Sequence, residues 1–140
     1  MKRLFIYILS LCSCIPSACF SPQELIEPVE VLTANKWILC KMSNEPISLK
    51  DFEKGSPSLK FEKDGRLMIF TGCDYINGYF ALNGNALGFD FPTEKNTCKN
   101  DNPLITDFLA ALKSSTRFTT VAQQLVLTDN NTILMSFFPK

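Results

Sequence analysis

Two dipeptides restrict this chain more than anything else in it: Asp64-Gly65 and Asn83-Gly84. An Asx-Gly pair supplies the left-handed φ that a tight hairpin turn demands, and each pair is bracketed by segments of strand length. Ser58-Leu59-Lys60-Phe61-Glu62-Lys63 alternates polar with apolar before the first turn, and Leu67 to Thr71 returns from it. Asn77 to Leu82 leads into the second turn and Ala86 to Phe91 leads out. Two antiparallel hairpins are therefore expected.

The rest of the chain extends the pattern. Trp37 to Met42, Arg117 to Ala122, Leu125 to Thr128 and Ile133 to Phe138 are further β segments, with Asp129-Asn130-Asn131 as a turn between the last two. After the polar stretch from Pro92 to Asn102 the period changes: Leu104, Ile105, Phe108, Leu109 and Leu112 share one helical face, and Asp107 lies on the polar side. Asn102 fits as N-cap and Pro103 as first helical residue, so a helix is expected near residues 103–113. About eight strands joined by tight turns, with one helix, predict a mainly β (α+β) fold: a small antiparallel barrel or roll whose open end the helix plugs or covers. The predicted domain runs over residues 35–140.

The N-terminus does not belong to that domain. Lys2-Arg3 precedes an almost unbroken apolar run from Leu4 to Leu11, which is the layout of a secretory signal and too short to span a bilayer. The expected signal covers residues 1–18 and the expected tether residues 19–34. Two cysteines compete as lipidation site. Ser17-Ala18-Cys19 supplies two small residues before the thiol, with Pro16 where lipoprotein signals carry leucine; Leu11-Cys12-Ser13-Cys14 has the leucine but a shorter apolar run. Cys19 is preferred over Cys14, and a cleaved signal that releases a soluble protein is the remaining alternative.

Composition narrows the function. With 14 basic and 14 acidic residues the chain has no long-range pull on a polyanion, so nucleic acid is not an expected partner. Loss of residues 1–18 removes Lys2 and Arg3, leaving 14 − 2 = 12 bases against 14 acids. The chain has 0 histidines, which removes the commonest general base and the commonest zinc ligand together. No catalytic residue, metal or cofactor is expected.

At Thr71-Gly72-Cys73-Asp74-Tyr75-Ile76-Asn77-Gly78-Tyr79-Phe80 the chain resembles the META/HslJ family, whose signature is Gly-Cys-Asn, three variable residues, Gly, a small or aromatic residue, and Tyr. Asn83-Gly84-Asn85-Ala86-Leu87 continues the likeness, Cys98 stands at the second family cysteine, and Phe108 to Leu112 through Thr116-Arg117-Phe118 resembles the family helix and its exit. Leu125 to Asp129 resembles the final hairpin, so the likeness extends over roughly 105 residues in order. Asp74 replaces the usual Asn, and Glu94-Lys95-Asn96-Thr97 stands where relatives carry Thr-Arg-Met-Ala. The resemblance implies an envelope lipoprotein without an established reaction, associated with stress tolerance. Its motif residues here are Gly72, Cys73, Asp74, Asn77, Gly78 and Tyr79.

Without its signal the domain keeps Cys40, Cys73 and Cys98, so at least one thiol stays unpaired within a monomer. A Cys73–Cys98 bridge would close a loop of roughly 25 residues and contribute about 3.5 kcal/mol through chain entropy. Two buried thiols packing as small hydrophobes are the alternative. Cys40, beside Trp37, reads as core. Gly72 and Gly78 read as backbone devices at a bulge and a close strand approach. Tyr75 and Tyr79, read as flanking the cysteine on a turn, are expected either half-buried or recognising a partner. The functional expectation is a non-catalytic envelope lipoprotein, held to the membrane by its lipid. It binds an envelope protein or supports outer-membrane integrity through Cys73 to Asn77 and the segment near Cys98. A carrier of small apolar ligands and a surface enzyme inhibitor are the alternatives.

Overall fold

The computed structural model describes residues 26–92 and 102–140. The chain enters through α1 (Pro28–Thr33) and continues as β1 (Lys36–Met42), β2 (Glu45–Pro46), a 3-10 turn (Leu49–Asp51), β3 (Ser58–Phe61), β4 (Arg66–Phe70), β5 (Tyr75–Asn83) and β6 (Ala86–Asp90). Then come α2 (Pro103–Ser114), β7 (Arg117–Val121), β8 (Gln124–Asp129) and β9 (Thr132–Pro139). The strands run β1-β3-β4-β5-β6-β7-β8-β9 in antiparallel succession and β9 pairs back onto β1, closing a ring. β2 hangs on β1 outside it. The mainly β barrel with one main helix is as expected; the additional strand β2, two residues long, is too short for any sequence period to show.

Closure depends on local irregularities. The β1–β9 ladder shifts register between Leu39 and Lys41, and β8–β9 between Leu127 and Thr128. Such extra residues bend a strand and raise its twist, which is how a flat sheet turns into a barrel. Between β6 and β7 the register is a single pair, Ala86 with Arg117, flanked by the bonds Leu87 N–H to Thr116 C=O at 2.9 Å and Phe118 N–H to Asn85 C=O at 3.1 Å. α2 covers this thin seam: Phe108 and Leu112 are fully buried in the main core, and the Lys113 ammonium lies 5.1 Å from the Phe91 ring centroid. The helix begins as the sequence predicts, with Asn102 Oδ1 accepting from Leu104 N–H at 3.0 Å and Pro103 at its first position.

Inward-facing side chains fill the barrel. Leu39, Leu59, Phe61, Leu67, Ile69, Leu125, Leu127, Met135 and Phe137 are fully buried, and Phe61 meets Phe80 edge-to-face at 5.0 Å. Each such side chain contributes about 1.5–3 kcal/mol by leaving water.

The tether reading fails over its last residues. Pro28–Thr33 is helical, Leu32 is fully buried in the core, and Trp37 Nε1 donates to Leu32 C=O at 2.9 Å. A helix of under two turns with one buried residue carries no period to read. Residues 1–25, including the expected signal, Cys14 and Cys19, lie outside the described residues, as does Cys98.

Turn positions also differ in detail. Asn83 pairs with Ala86, so Gly84-Asn85 forms the turn, with Gly84 first at φ 59°. The β3–β4 connection uses four residues, Glu62 to Gly65, with Gly65 at φ 92°.

Candidate functional site

The signature stretch divides between two tasks. Its first half closes the β4–β5 hairpin: Thr71 N–H donates to Asp74 C=O at 2.9 Å, and Asp74 N–H donates back to Thr71 Oγ1 at 3.0 Å. Gly72 takes φ 98°, and a Cβ there would lie 2.7 Å from Phe52 Cδ1. Cys73 is buried beside Phe52 and Ile105, with Leu104 and Leu109 packed against them. Its sulfur is engaged rather than free. This corner joins the turn before β5 to the start of α2, and the adjoining Asn102 Nδ2 donates to Asp51 C=O at 2.6 Å. Gly72, Cys73 and the backbone of Asp74 thus hold the barrel end together.

The second half is strand. Along β5 the inward positions Ile76, Gly78, Phe80 and Leu82 alternate with the outward positions Tyr75, Asn77, Tyr79, Ala81 and Asn83. A Cβ on Gly78 would meet Asp90 C=O at 2.6 Å and Phe91 Cβ at 2.8 Å, so a side chain there would push β6 away. Gly78 is the close approach that the sequence suggested. Tyr75 and Tyr79, in contrast, are neither on a turn nor half-buried: they lie on the outer wall, 65% and 63% exposed. Four residues along one strand, they stand about 13 Å apart on one face.

Register completes the site. Across the β4–β5 ladder Arg66 lies opposite Tyr79, Met68 opposite Asn77, and Phe70 opposite Tyr75. Phe70 and Tyr75 have ring centroids 4.9 Å apart. Glu62, Arg66, Met68, Asn77, Gly78 and Tyr79 line a cleft of about 350 Å³ in this wall, a volume within the range of small-molecule sites. Asp64 fixes the arginine: Arg66 Nε donates to Asp64 Oδ2 at 2.6 Å and Arg66 N–H to Asp64 Oδ1 at 3.2 Å. The Arg66 backbone N–H, with its guanidinium, holds the Asp64 carboxyl below the usual carboxylate range. Glu62 is 3.7 Å from Lys60, so the two charges of the cleft are each offset by a neighbour.

The structure therefore brings Asn77, Gly78 and Tyr79 to one cleft and leaves Gly72, Cys73 and Asp74 at the barrel end. Glu62, Arg66 and Met68 were not singled out from the sequence. The alternation in the β3–β4 hairpin places Arg66 and Met68 on the outer face, but only the register sets them against Tyr79 and Asn77. Cys40, expected in the core, is a half-buried free thiol at the β1 bulge, its Sγ donating to Ser136 C=O at 3.2 Å. Burial pushes its pKa up. Among the described residues no group of three or more His, Cys, Asp or Glu is placed to hold a metal.

A family model described as META domain matches residues 30–140, beginning within α1. No curated protein matches the chain. Solved structures share the fold. A DUF4847 family protein from Bacteroides vulgatus aligns at 13% identity with TM-score 0.63, over 78% of this chain and 94% of that one. A protein from Burkholderia xenovorans, solved by NMR, aligns at 18% identity with TM-score 0.61, over 80% of this chain and 86% of that one. A further NMR structure aligns at 18% identity with TM-score 0.60, over 81% and 96%.

Proposed function

This chain belongs to the META domain family, and from that premise we propose that it works as a non-catalytic, exported lipoprotein of the bacterial cell envelope. Acyl chains on Cys19 hold it to a membrane, and its domain supports the envelope under stress by binding another envelope component on the outer wall of β4 and β5. One observation carries the reading: two tyrosines 65% and 63% exposed, with Met68 at 44%, share one face of the wall with an arginine bonded to Asp64. Monomeric surfaces seldom leave such aromatics in water without a use, and Tyr, Met and Arg are the residues enriched where proteins bind. The absence of histidine from the sequence and the offset charges of the cleft support a holding role rather than turnover. The Cys73–Cys98 bridge belongs to the same proposal, since it would tie the segment before α2 to the barrel end in an oxidising compartment.

The carrier reading has less support, because the barrel interior is occupied by its own phenylalanines and leucines. Palmitate labelling in the native host tests the anchor: loss of label in Cys19→Ala is expected, and unchanged label would move the site to Cys14 or elsewhere. Complementation of a deletion strain tests the wall. Tyr75→Ala with Tyr79→Ala is expected to fold, be exported and fail to restore stress tolerance; full restoration would end the assignment of this face.

A further inference from the structure

We infer that the cleft between Arg66 and Tyr79 binds a neutral glycan, with Tyr79 as stacking platform and Glu62, Arg66 and Asn77 as hydroxyl-binding groups. This rests on the envelope-binding reading and names the class of component that the wall holds.

Chemistry selects the class. A pyranose ring offers an apolar C–H face and a rim of hydroxyls, each both donor and acceptor. It is therefore matched by an aromatic face surrounded by planar groups that engage neighbouring hydroxyls in pairs. Carboxylate, guanidinium and carboxamide are the three planar groups that side chains supply, and Glu62, Arg66 and Asn77 set all three around Tyr79 in a cleft of about 350 Å³. The Arg66–Asp64 bond uses Nε, which leaves the terminal amino groups as donors on an already oriented guanidinium.

Charge selects neutrality. Glu62 is offset by Lys60 at 3.7 Å and Arg66 by Asp64 at 2.6 Å, so the cleft presents no net charge to a polyanion or a polycation. Tyr75, about 13 Å along the strand, offers a second ring in line, which suits a short oligosaccharide rather than a single sugar.

Position gives such a ligand access. The Lys63 ammonium, in the turn that carries Glu62, lies 3.1 Å from Glu30 of α1, so the cleft sits at the barrel end where the chain toward Cys19 emerges. Pro28 lies nine positions beyond Cys19 (28 − 19 = 9), a span of at most about 30 Å. A lipid on Cys19 would thus keep the cleft close to the membrane surface.

The test is an NMR titration of the full processed protein with chitotetraose and cellotetraose as neutral probes, beside a sulfated heparin fragment. Amide shifts confined to Arg66–Phe70 and Tyr75–Phe80 with at least one neutral probe, and none with heparin, are expected. Tyr79→Ala should weaken binding at least about tenfold, while Tyr79→Phe, which keeps the ring, should bind within about threefold. Both should melt as the parent does. No shift at millimolar neutral probe, shifts mapping elsewhere, or equal binding by Tyr79→Ala would overturn the proposal. So would recovery of a protein crosslinked through a photoreactive group at Asn77 in intact cells with no glycan response. A null titration with palmitate labelling and complementation intact would refute the glycan alone and leave the anchored binding role standing.

Discussion

The two faces of β5 differ in what they ask of the sequence. On the inner face Gly78 is confined by Asp90 and Phe91, and its neighbours Ile76 and Phe80 pack against the core, so an added atom has nowhere to go. On the outer face Tyr75, Asn77 and Tyr79 are exposed, with the Phe70 ring beside Tyr75. A single run of residues thus sends packing positions inward and exposed positions outward in alternation, because successive strand side chains point to opposite sides. The signature stretch mixes both: Gly72, Cys73 and Gly78 are enclosed by packing, while Asn77 and Tyr79 point outward.

The sharpest way to break this contrast is Gly78→Ala. Its Cβ would press on backbone, which cannot swing aside, and a loss of about 3 kcal/mol is expected in denaturant unfolding. A neutral result would mean that β6 yields freely and that the inner face is not confined. Gly72→Ala comes next, at about 2 kcal/mol, because the residue sits at φ 98° and faces the Phe52 ring, which can give a little. Thermal melting of this variant separates the barrel-end role of the motif from any role in binding.

A turn outside both faces gives an effect of opposite sign. Ala122 and Gln123 both take positive φ, 49° and 66°, at the β7–β8 turn. Glycine meets that demand without strain, so Gln123→Gly should raise stability by about 1 kcal/mol. The outer face should show the smallest stability effect: Tyr79→Thr, which keeps a strand-favouring residue and leaves the Phe70–Tyr75 contact in place, is expected to shift unfolding by less than about 0.5 kcal/mol. A large loss would show that the wall is structural after all. Cys40 offers a kinetic check. Since burial raises its pKa, the thiol stays protonated above the pH at which an unfolded cysteine ionises, and becomes thiolate only as pH rises through the raised value. Iodoacetamide at pH 8 should therefore label it more slowly in the native protein than after denaturation; equal rates would place it in open solvent.

Most of the architecture was legible because it is written in short-range terms. Strands β3 to β9 follow from alternation and turn residues, and α2 from its apolar face, its Asn102 cap and Pro103. The losses have a common cause. α1 was read as tether since six residues cannot display a helical period, and Leu32 is recognised as core only once β3 and Trp37 lie over it. Cys40 was read as core from its apolar neighbours, but on β1 it falls on the row opposite the inward Trp37 and Leu39, at the point where the ladder with β9 shifts register.

The candidate site shows the same division. Asn77, Gly78 and Tyr79 were marked by the signature, yet Arg66, Met68 and Glu62 carry no mark of their own. What the amino-acid order settled by itself was which segments become strands, where they turn, and the family to which they belong, because those depend on neighbours a few residues apart. Which residues share a cleft was decided by strand register and barrel closure. These are set by the whole core packing at once, and a shift of one residue would turn Tyr79 inward and remove the site.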